Sequence, residues 1–385
     1  MAIYTKEEAR QILEKALSYS TADACQVNLS GSESGNIRYA RNTVSTAGHR
    51  SNQNLSVQSN YGNKSAGASI DEFDDESLKK VVKRSEELAQ ISPENPEFMG
   101  VLGPQTYDES ITFSESTAKI TPEYRAEVAN SSIEPAAAKE VTAAGFMNDS
   151  AGFSAMMNSK GLFAYNKSTD ISFTVTMRSN DGTGSGWVSR DFNDVSKFDA
   201  AEASKVAIDK AIMSREAKAI EPGKYTVILE PAASIGLLGN MRRALSARTA
   251  DEGRSFMSKE GGGTKLGLKI VDERVNIWSD PLDPEVPTST WNGEGMPLKK
   301  MSWIENGAVK NLAYDRFWAK EKGVDPVPFP PNMIMAGGDA SLDDLIKGTK
   351  KGILVTRLWY IRGVDPQTLL FTGLTRDGTF YIENG

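Results

Sequence analysis

From residue 5 to residue 17 apolar positions recur at helical spacing. Ala9, Ile12, Leu13, Ala16 and Leu17 fall on one face, and Thr5 and Glu8 stand at the spacing of a capping box. The pattern then becomes strand-like, predicting strands over residues 24–29, 36–41, 54–59 and 64–70. Turn-forming residues separate these runs, as in Gly31-Ser32-Glu33-Ser34-Gly35 and Tyr61-Gly62-Asn63. A second helix is predicted over residues 74–90 with Leu78, Val81, Val82 and Leu88 as its buried stripe, and Pro93 and Pro96 stop it.

That order returns. Thr121-Pro122-Glu123 reads as an N-cap with proline at the first helical position. Strand patterns follow over residues 141–148, 152–158, 161–166 and 171–178. A flexible turn, Asp181-Gly182-Thr183-Gly184-Ser185-Gly186, precedes Trp187-Val188-Ser189. Phe198-Asp199 opens a helix through residue 217, as Phe73-Asp74 does in the first unit. Helix, strands, helix, repeated at long spacing, predicts a duplicated α+β unit, with copies over residues 1–100 and 115–219.

From Glu221-Pro222-Gly223 the character changes. A strand at 225–229 and a helix over 232–247, bearing Leu237, Leu238, Met241 and Leu245, lead into a long β-rich stretch with many Gly and Pro residues. The expected fold is therefore α+β in two intertwined lobes: an N-terminal α+β domain over 1–219 and a β-rich C-terminal domain over 220–385. Ser302 to Leu312 reads as a hairpin turning on Asn306-Gly307. Tyr381-Ile382-Glu383-Asn384-Gly385 repeats its first half with nothing afterwards to pair with, so the chain is expected to be truncated at its C-terminus.

The 385 residues carry 44 Lys plus Arg against 51 Asp plus Glu, a net charge of −7. That balance speaks against a nucleic-acid-coating protein. One His, His49, and one Cys, Cys25, exclude a zinc finger, a Cys-x-x-Cys pair, a two-histidine zinc helix and an intramolecular disulfide within this chain. No apolar run reaches the roughly 18 residues of a membrane span. The start of the chain lacks a basic segment followed by an apolar one, so a soluble cytoplasmic protein with no membrane partner is expected.

Candidate chemistry is sparse. Glu260-Gly261-Gly262-Gly263-Thr264-Lys265 lacks phosphate-loop spacing, and the glycines at 182–186 join two strands rather than a strand and a helix. His49 reads as a surface residue at a strand end and Cys25 as a small buried hydrophobe. Asp71 to Glu76 and Ser341 to Asp344 read as helix starts. Asp280-Pro281-Leu282-Asp283-Pro284-Glu285 lacks EF-hand spacing. Arg242-Arg243, Lys299-Lys300 and Lys350-Lys351 read as solvated surface.

Ordered blocks nevertheless recur. Pro222-Gly223-Lys224-Tyr225-Thr226-Val227-Ile228-Leu229 is followed by Gly253-Arg254-Ser255-Phe256-Met257, Ile277-Trp278, Asp280-Pro281, and Trp291-Asn292-Gly293-Glu294-Gly295. Trp303 to Gly307, Thr372-Gly373 to Gly378 and Ile382 to Gly385 complete the series, with Ala22-Asp23-Ala24 and residues 36–42 fitting in the first half. In this order they resemble the TldD/PmbA family, peptidase-related proteins also named modulators of DNA gyrase.

The catalytic branch of that family carries His-Glu-x-x-x-His directly after the strand, two imidazoles for zinc and a Glu to activate its water. The matching positions here are Glu230, Pro231 and Ile235, and the family's further Cys ligand lies in a segment this chain does not contain. The resemblance therefore implies the PmbA (TldE) branch: no catalytic, cofactor or metal residue in this chain, zinc in a TldD-like partner subunit, and a role in proteolysis or maturation of small or unfolded peptides. A heterodimer or higher assembly with that partner, or a homodimer, is expected, with a peptide as substrate. Two other readings stay open: a self-sufficient hydrolase using Glu230 with Asp280 or Glu294, and a non-proteolytic binding or assembly protein.

Overall fold

The computed structural model describes residues 3–385. The first unit runs α1 (Lys6–Leu17), β1 (Ala24–Ala40), β2 (Thr43–Tyr61), β3 (Lys64–Ile70) and α2 (Asp75–Ile91). Thr5 and Glu8 cap α1 reciprocally, and the Asp74 carboxylate accepts the first free N–H groups of α2. A linker holding the one-turn helix α3 (Glu115–Ala118) leads to the second unit: α4 (Pro122–Ala138), β4 (Val141–Asn158), β5 (Phe163–Ser179), β6 (Ser185–Phe192) and α5 (Ala200–Met213). The six strands make one antiparallel sheet in the order β3-β2-β1-β4-β5-β6. Each unit gives three consecutive strands, and the units join along β1 and β4, from Gln26 opposite Asn158 to Tyr39 opposite Gly145.

The strands are longer than their hydrophobic pattern predicts. Gly31 to Gly35, expected as a turn, lies inside β1; the breaks expected within β4 and β5 are likewise closed. The reason is what crosses these small residues. A Cβ on Gly31 would meet the Phe153 ring at 2.7 Å, one on Gly35 would run into the Arg125 guanidinium, and one on Gly145 into the Tyr39 ring. Glycine is the surface that large neighbours lie on, not a chain reversal. Arg125 reaches over Gly35 to a bidentate contact with Asp149, at 2.5 and 2.7 Å, with both side chains more than nine-tenths buried.

Because β1 and β4 are 17 and 18 residues long, each serves two cores. One end of each packs with α1 and α2 around Leu13, Val27, Leu55, Leu78 and Phe153. The other packs with α4 and α5 around Tyr39, Val128, Met147, Phe173 and Ile208. The two copies are thereby locked through shared strands.

The remaining chain is built from short elements. β7 (Val227–Leu229), α6 (Pro231–Ala244), α7 (Ala247–Asp251), β8 (Ile277–Ser279), β9 (Met301–Glu305), β10 (Ala308–Val309), α8 (Arg316–Lys322) and β11 (Ile334–Met335) come first. α9 (Leu342–Lys347), β12 (Lys351–Val355), β13 (Leu358–Asp365), β14 (Leu370–Thr375) and β15 (Thr379–Glu383) follow. They form sheets β10-β9-β8-β11 and β15-β12-β7 and the hairpin β13-β14. The Asn306-Gly307 hairpin is present, with both residues at positive φ. The helix expected over 232–247 divides into α6 and α7, and of the leucines expected on it Leu237 is exposed. The Tyr381 stretch, expected to have nothing after it to pair with, pairs instead with an earlier strand, running antiparallel to β12 from Lys351 opposite Glu383 to Val355 opposite Thr379. Trp303, Met257, Leu245 and Leu312 centre this lobe's main core.

Candidate functional site

β7 lies parallel to β12, and the Glu230 N–H donates to the Val355 carbonyl, so Glu230 is fixed between a strand and the N-terminus of α6. Its backbone is extended and Pro231 takes the first helical position. The Glu230 carboxylate does not cap the helix. Its Oε2 accepts from Lys210 Nζ of α5 at 2.6 Å, and the two side chains are only 13% and 14% exposed. A charge-assisted contact this short and this dry ties the lobe of the six-stranded sheet to α6.

The three positions that the resemblance sets against the zinc motif therefore have different fates. Glu230 is spent on an ammonium. Pro231 offers no side-chain donor atom. Ile235 is hydrocarbon and 56% exposed. Among the described residues no group of three His, Cys, Asp or Glu gathers that could hold a metal ion. Cys25 is buried in the first core, where desolvation pushes its thiol pKa up, and His49 is exposed on β2. The donor set does not fit zinc.

Asp280 and Glu294 are not brought to Glu230 as a working set. Asp280 directly follows β8, accepts from the Leu282 N–H and faces Lys300 Nζ at 3.5 Å. Glu294 lies half-exposed 3.5 Å from Arg316. Each carboxylate has its own cation, so none stands free as a general base beside another.

Glu294 and Arg316 instead line a cleft of about 320 Å³ where the sheet, the linker after α2 and the C-terminal lobe meet, together with Gln26, Gln58, Asn60 and Met99. Arg316 donates to the carbonyls of Met99 and Gly100 at 2.8 and 2.6 Å, and Arg248 grips Glu97 through two 2.8 Å bonds. Arg248 also holds the Glu97 carboxyl below its ordinary pKa. These clasps have no local sequence signature, because each arginine meets a partner some 150 to 217 positions away.

Family models describing the first, central and C-terminal domains of PmbA/TldA metallopeptidases match residues 25–89, 102–215 and 222–385. The chain belongs to the PmbA/TldD family. An uncharacterized protein of Methanocaldococcus jannaschii is 28% identical over 53% of this chain and 50% of its own length. A protein of Methanothermobacter thermautotrophicus named metalloprotease is 24% identical over 54% and 48%. The chain spans about half the length of these relatives. Among PmbA/TldD-like folds, TldE of Thermococcus kodakarensis superposes with a TM-score of 0.84 at 20% identity, covering 97% of this chain and 88% of that one. A candidate modulator of a DNA gyrase from Thermotoga maritima gives 0.86 at 18%, with the same coverage. At these identities the likeness is one of fold. Among the described residues no helix is long and apolar enough to cross a membrane.

Proposed function

We propose that this chain is the PmbA/TldE-like subunit of a TldD/PmbA metallopeptidase system, acting in the cytoplasm in proteolysis or maturation of small or unfolded peptides, with the zinc held by a TldD-like partner. The observation that carries this reading is the β7–α6 junction. The family's three domains run along the chain, yet where the resemblance places zinc ligands Glu230 is closed by Lys210 and Ile235 is solvent-facing hydrocarbon. Water attack on a peptide carbonyl asks for a Lewis acid and a free base. This junction offers neither, so the chain's part is to build walls and strand edges around an extended peptide.

The test is affinity purification of the full-length protein from its native cytosol, with metal analysis of what is recovered. A zinc-bearing partner carrying His-Glu-x-x-x-His supports the reading. Stoichiometric zinc with peptidase activity in the purified chain alone, or a metal-free homo-oligomer with no such partner, overturns it.

A further inference from the structure

β2 is 19 residues long, but β3 covers only its second part, from Leu55 opposite Ile70 to Tyr61 opposite Lys64. Among the described residues, positions 43–54 pair with β1 alone, and no other strand bonds to them. Every residue from Thr43 to Arg50 is exposed. At about 3.4 Å per residue, that leaves an open strand edge on the order of 40 Å long. Proteins usually blunt such an edge with Lys, Pro or a cover. Among the described residues this one has no Lys, no Pro and no covering strand, and Arg50 is its one fixed charge: its residues read Thr-Val-Ser-Thr-Ala-Gly-His-Arg-Ser-Asn-Gln-Asn.

The edge is also held ready. The Arg41-Asn42 turn at its start has positive φ at both residues, and Asn42 is bolted to β4. Its Nδ2 donates to the Val141 carbonyl at 3.1 Å, and its Oδ1 accepts from the Ala143 N–H at 2.6 Å. All of these ties lie on the β4 side, away from the free edge. Charge supplies the direction. Although the chain has 51 acids, none occurs between Glu33 and Asp71, a stretch carrying Arg38, Arg41 and Arg50. Among the described residues none of these three arginines makes an ion pair with a carboxylate; Arg38 lies 5.2 Å over the Phe146 ring. Arg38 stands opposite Thr46, which shares a face with Arg50, so both arginines project from the same side of the sheet.

We propose that residues 43–54 of β2 receive an extended, carboxylate-bearing segment of another polypeptide by antiparallel or parallel strand addition, its backbone pairing with the free edge and its acids meeting Arg50 and Arg38. A second copy of this chain fits poorly, because self-pairing brings two sets of the same arginines and no acid to one seam. Strand addition gives affinity through the main chain and choice through the charged face. The inference does not depend on the peptidase reading. A partner without zinc that docks on this edge would end that reading and leave this one standing.

The experiment uses the whole chain and a fluorescent peptide of about ten residues alternating Thr and Glu, long enough to span most of the edge. Fluorescence anisotropy should show saturable binding that weakens at least about tenfold when Lys replaces Glu, when alternate peptide amides are N-methylated, and when Arg38→Glu and Arg50→Glu are combined. The Lys-bearing and N-methylated probes test charge and backbone pairing on unaltered protein, so the proposal can fail whether or not the variants fold. Absence of binding, or binding that N-methylation leaves unchanged, overturns the proposal. So does a dimer of this chain that falls apart on Arg50→Glu without any uptake of the probe.

Discussion

The Lys210–Glu230 contact shows what a buried carboxylate demands of its surroundings. A carboxylate buried at the head of a helix needs a cation, and here the cation is covalently part of α5. Removing one partner of a buried pair is expected to cost more than removing both. Lys210→Met should lower unfolding free energy by about 3–5 kcal/mol, since it strands the Glu230 charge. The double variant Lys210→Met with Glu230→Leu should recover much of that loss, as read in urea unfolding; a double variant worse than the single one would show that the pair is not what holds α6. Tyr39 makes a second residue-level case. Its hydroxyl donates to Ser132 Oγ at 2.7 Å, and burial pushes its pKa up to about 12 from 10.0. The unfolded chain releases this proton near pH 10 while the folded chain keeps it, so stability is intact below pH 10 and is lost as pH rises toward 12. The loss from this group approaches about 1.4 kcal/mol per pH unit in that window. Tyr39→Phe should flatten that slope while costing about 1 kcal/mol at neutral pH for the missing hydrogen bond; an unchanged alkaline slope would rule Tyr39 out as its source.

Elements whose signals are local were legible in the chain: the Thr5 and Glu8 box of α1, Asp74 before α2, the Ser341 cap of α9 and the Asn306-Gly307 hairpin. Each rests on residues within a few positions of one another. The interior of β1 was not legible, because Gly31, Ser32, Ser34 and Gly35 have the composition of a turn and the side chains that make them strand lie on β4 and α4. The same blindness hid Lys210, Arg248 and Arg316, while the bland readings of Cys25 and His49 needed only their neighbours. This account of β1 has a consequence at the level of the element. Gly35→Ala should cost about 1–3 kcal/mol or more, because its methyl must displace the buried Arg125 guanidinium. Gly48→Ala, whose nearest contact would be the Asn36 amide at 3.4 Å on the exposed part of β2, should be nearly silent. Thermal unfolding that ranks the two the other way would mean that the glycines of β1 are not there to be covered.

At the scale of the whole molecule, the lobes are joined by ties spread around a perimeter rather than by one shared core. Lys210 meets Glu230, Ser185 Oγ donates to Asp377 at 2.7 Å, Lys197 reaches the Pro284 carbonyl at 2.6 Å, and the linker after α2 is stitched to the second lobe along its length. Along that linker Arg248 grips Glu97, and Arg316 takes the Met99 and Gly100 carbonyls. Thr290 Oγ1 donates to the Asp108 carbonyl, and Tyr107 Oη to that of Gly295 at 2.7 Å. The hydrophobic clusters stay mostly within each lobe; a small one joins Met156, Leu162 and Ala164 of the sheet lobe to Trp291. Such an arrangement lets the lobes keep their folds while their junction loosens. Arg316→Ala is the variant that isolates this. It frees two backbone carbonyls and the cleft wall beside Glu294 without touching the main core of either lobe. Amide exchange should speed up over residues 95–108 and 290–297, with protection in β1, β4 and β9 unchanged and the main unfolding transition little moved. If protection were instead lost evenly through the β9 core, Arg316 would be a core residue of its own lobe, and the linker would follow that lobe rather than hold it.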